Sequence, residues 1–94
     1  MELKDIAKIL LPKLLILESE LLRREDLATG VFLNSLGMVN SGRPWWGNDR
    51  DIVNAWITYI RKAIGGDPQH ISHEWCEAVM NSANALYKYI KAEG

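Results

Sequence analysis

The spacing of Leu3, Ala7, Leu10, Leu14, Leu17 and Leu21 constrains this chain more than any other feature. Steps of four and three residues place all six on one face of an α-helix. No alternating run long enough to be a strand occurs elsewhere. Ile6, Ile9, Leu11, Leu15, Ile16 and Leu22 add apolar side chains on the other faces of the same segment. Such a helix is either central in the fold or partly covered by a second chain. Pro12 has no N–H and crowds the carbonyl of Lys8, which predicts a kink, or a helix that restarts with Pro12 in its first turn.

Punctuation organises the rest. Arg23-Arg24-Glu25-Asp26 puts charge on every face for one turn, so it is a helix junction or a solvated mid-helix turn. Leu27, Val31, Phe32, Ser35, Met38 and Val39 then predict a second helical stripe, ending before the polar run from Asn40 to Pro44. A third helix is expected after Asn48 or Asp49 as cap. Acids stand in its first turn, its apolar face runs from Ile52 to Ile64, Arg61 and Lys62 stand in its last turn, and Gly65 is the left-handed terminator. A fourth starts at Pro68, capped by Asp67, or after Ser72, and buries Ile71, Trp75, Val79, Ser82, Leu86 and Ile90. The fold class expected is all-α: a single domain over residues 1–94, a small compact bundle of three to four helices. A Trp-rich loop joins helices two and three.

Composition narrows function mainly by exclusion. The 94 residues are 48% hydrophobic and 24% charged, values of a globular chain and not of a disordered one. Eleven basic and twelve acidic side chains are spread evenly, with no basic arm, which argues against a strong electrostatic nucleic-acid binder. The longest dense apolar stretch, Ile9–Leu17, is too short for a bilayer, and Glu2 and Asp5 spoil a signal-peptide start. A lone cysteine, Cys76, allows no internal disulfide and suits a reducing cytosol, so a cytoplasmic location is expected.

Chemistry-bearing residues are few. His70, His73, Glu74 and Glu77 share one side of a helix that starts near Pro68. They lack the paired Glu-x-x-His motifs of a di-iron bundle and read as a solvated first turn, so no metal is assigned. Cys76 lies on the flank of the apolar stripe with Met80, Ala83 and Tyr87, and reads as a small buried hydrophobe. The pairs Glu18/Glu20 and Asp49/Asp51 stand two apart, diverge on a helix and solvate faces. No phosphate loop, nucleophile elbow or zinc-finger spacing occurs, and neither an enzyme nor a cofactor is expected.

Two features suggest binding. The segment Gly42-Arg43-Pro44-Trp45-Trp46-Gly47-Asn48 carries the residue types enriched at interface hot spots, on a loop that Pro44 stiffens. One indole is expected to anchor the bundle end, while Arg43, Trp45, Trp46, Asn48 and Arg50 form the partner-contact patch. The overfilled first helix suggests a symmetric homodimer with Leu10, Leu14 and Leu17 as its seam. The expected function is a non-enzymatic protein-interaction module, an adaptor or inhibitor of a larger complex. Small helical proteins of phages and mobile elements often play such roles, an association of size alone. The alternative is a small helical nucleic-acid-associated regulator using Arg23, Arg24, Arg43, Arg50, Arg61 and Lys62.

Overall fold

In the computed structural model, which describes residues 2–35, 39–40, 43–44 and 47–93, Pro12 sits inside one unbroken helix, α1, Leu3–Arg23. The expected restart does not occur. Pro12 and Lys8 are both exposed, so water can serve the carbonyl that the missing N–H leaves open. Helix α1 stops at Arg24, whose φ of −119° and ψ of 67° are non-helical, within the charged turn.

The second helix departs from expectation. Instead of one stripe to Val39, two single turns follow, α2 (Glu25–Ala28) and α3 (Phe32–Ser35), separated by Thr29, Gly30 and Val31. Beyond them, β1 (Val39–Asn40) and β2 (Arg43–Pro44) pair antiparallel, Val39 with Pro44 and Asn40 with Arg43.

Helix α4, Asp49–Ile64, has both of its ends encoded locally. Asn48 and Asp51 form a capping box: the Asp51 N–H donates to Asn48 Oδ1 at 2.9 Å, and the Asn48 N–H donates to Asp51 Oδ2 at 3.4 Å. At the other end the left-handed residue is Gly66 (φ +105°), not Gly65. The Gly66 N–H reaches the Ala63 carbonyl and the Asp67 N–H reaches that of Lys62, a Schellman closure that only glycine enters without strain. Of the two starts expected for the last helix, the structure takes the later: α5 spans His73–Glu93, with Ser72 Oγ accepting the Trp75 N–H at 3.1 Å. Asp67 instead caps a turn, accepting from the Gln69 N–H.

The result is an all-α bundle built around α1, which packs chiefly on α4 and next on α5. Ala7, Leu10, Leu14, Leu17 and Leu21 meet Ile52, Val53, Trp56 and Ile60 of α4 and Val79, Leu86 and Ile90 of α5 in one core. This overturns the expected dimer seam. Leu10, Leu14 and Leu17 are at most 1% exposed within a single chain, so no second copy can reach them. The surplus apolar surface lies elsewhere, at Ile9, Ile16, Leu22, Val31 and Tyr87. No described helix is long and apolar enough to cross a membrane.

Candidate functional site

The end of the bundle where α3 meets the start of α4 is built around Asp49. It is the first residue of α4, and its side chain is fully buried. Oδ1 accepts the Leu33 N–H at 2.8 Å and Oδ2 accepts the Phe32 N–H at 3.1 Å. Its own N–H donates to the Gly30 carbonyl at 2.9 Å. One residue thus caps α3 and ties it, with Gly30, to the start of α4. Burial pushes the Asp49 carboxyl above its ordinary range, while the two backbone N–H groups pull it back down. Gly30 leaves little room here: a Cβ would stand 3.1 Å from the Leu27 carbonyl oxygen, a tight contact. Stacking of Phe32 on Tyr89, with ring centroids 4.5 Å apart, fixes α3 against α5.

Sequence reasoning misses this clamp, because it gives Asp49 only the roles of capping α4 or solvating a face. The available signal is redundancy. Asn48 already satisfies the α4 cap, which leaves the next carboxylate free for a tertiary role. Asp51 is the exposed member of the pair, and the capping box uses its side chain. Gly47 is required beside it: its φ is +112°, and a Cβ there would lie 2.9 Å from Asp51 Oδ2.

Of the expected contact patch, Trp45 and Trp46 lie outside the described residues. Arg43 contributes its backbone to the β1–β2 pair. Asn48 is half-buried and its side-chain oxygen is committed to the α4 cap, so it acts first as a post for the loop. Arg50 is exposed and makes no ion pair among the described residues. It borders a polar depression of about 430 Å3, with Glu25, Thr29, Asn48 and Asn54 on the other walls.

The other candidates are scattered. His70, His73, Glu74 and Glu77 are all exposed, and no three His, Cys, Asp or Glu side chains among the described residues gather as a metal site. With α5 starting at His73, His70 falls in the preceding turn and stacks on Tyr59, centroids 5.1 Å apart. Cys76 is 2% exposed, and burial pushes its thiol pKa up, which works against nucleophile chemistry. Arg23 pairs with Glu20 and Arg24 with Asp26, so two of the cations considered for nucleic acid are neutralised by their own helix ends. No family model, curated protein or solved structure matches this chain.

Proposed function

We propose that the chain is a non-enzymatic protein-interaction module, an adaptor or inhibitor of a larger complex, that presents Arg43, Trp45 and Trp46 with Arg50 to its partner. The observation that carries this reading is the Asp49 clamp. A buried carboxylate ties Gly30, Phe32 and Leu33 to the start of α4, so α3 and α4 are held together where the segment carrying Arg43, Trp45 and Trp46 departs and returns. Fixing the ends lowers the entropy cost of presenting two indoles, and Trp with Arg supplies the large amphipathic contacts that dominate interfaces. Arg50, the exposed cation beside the loop exit, extends the patch onto α4.

Capture of partners from the source cell by the wild type, Trp45→Ala and Trp46→Ala tests the reading. One variant is expected to keep the wild-type urea midpoint yet lose a specifically retained protein. If both variants fold and retain it, the contact surface is elsewhere. If both unfold, the loop is structural. Heparin retention with a steep salt slope would instead favour the nucleic-acid reading.

A further inference from the structure

We draw no further inference here: the strongest candidate, the groove between α1 and α5 lined by Lys13, Ile16, Ala83, Asn84 and Tyr87, carries nothing because nothing in the structure shows what covers it.

Discussion

Replacing Asp49 by alanine removes acceptors from two backbone donors at once. The Leu33 N–H is buried, and an unmet buried donor costs about 1–3 kcal/mol. The Phe32 N–H is only partly buried, so water can take over some of its loss, and the two together reach about 2–4 kcal/mol. Alanine also removes a carboxylate that burial disfavours, which offsets part of this, so the expected net loss is about 1.5–3 kcal/mol. The Asp49→Asn variant keeps one acceptor oxygen, and about half that loss is expected. Urea unfolding followed by circular dichroism at pH 7 measures both, with an unchanged m-value as the check that only stability moved. The pH dependence has a definite sign. Because burial raises the Asp49 pKa in the fold, the folded chain holds its proton to higher pH than the unfolded chain does. The advantage of wild type over D49N is therefore full below the unfolded carboxyl value and declines as pH rises through the folded one. A D49A variant within about 0.5 kcal/mol of wild type would refute the clamp, as would a D49N difference that grows with pH.

Trp56 is fully buried between α4 and α1, and Trp56→Ala is expected to cost about 3–5 kcal/mol by urea unfolding. Trp75→Phe should cost under about 1 kcal/mol, because the lost volume is offset by removing a buried indole N–H that has no acceptor among the described residues. Pro12→Ala restores an N–H to the middle of α1 at an exposed position, and is expected to raise stability by about 1–2 kcal/mol in the same assay. Thiol labelling of Cys76 in the native protein should proceed no faster than the chain opens. Rapid labelling would contradict its burial.

Helix α4 is legible from sequence because cap, charge order and glycine terminator are all local signals in one contiguous stretch. Helix α1 is legible as a helix, but its two apolar stripes look alike in sequence. Only packing shows that Leu10, Leu14 and Leu17 turn inward while Ile9 and Ile16 stay out. The segment after Arg24 defeats a local reading because its breaks answer to a distant residue. The carbonyl of Gly30 and the N–H groups of Phe32 and Leu33 bond to Asp49, not to their own helical turn. A periodicity argument sees Leu27, Val31 and Phe32 as one stripe and has no means of weighing a carboxylate 16 or 17 residues away. For the same reason the loop's fixed ends are invisible in sequence, although its Trp and Arg content is plain.

The central position of α1 also sets a schedule for synthesis. The helix that α1 packs on most, α4, is complete only at Ile64, some way after Arg23. At ~5–20 residues per second, α1 emerges from the ribosome roughly 2–8 s ahead of the end of its principal neighbour. Through that interval Leu10, Leu14 and Leu17 have no core to enter, and the outer stripe of Ile9 and Ile16 is bare as well. The nascent chain is thus a helix with both apolar faces open, the form most readily captured by a chaperone or by another nascent copy on the same message.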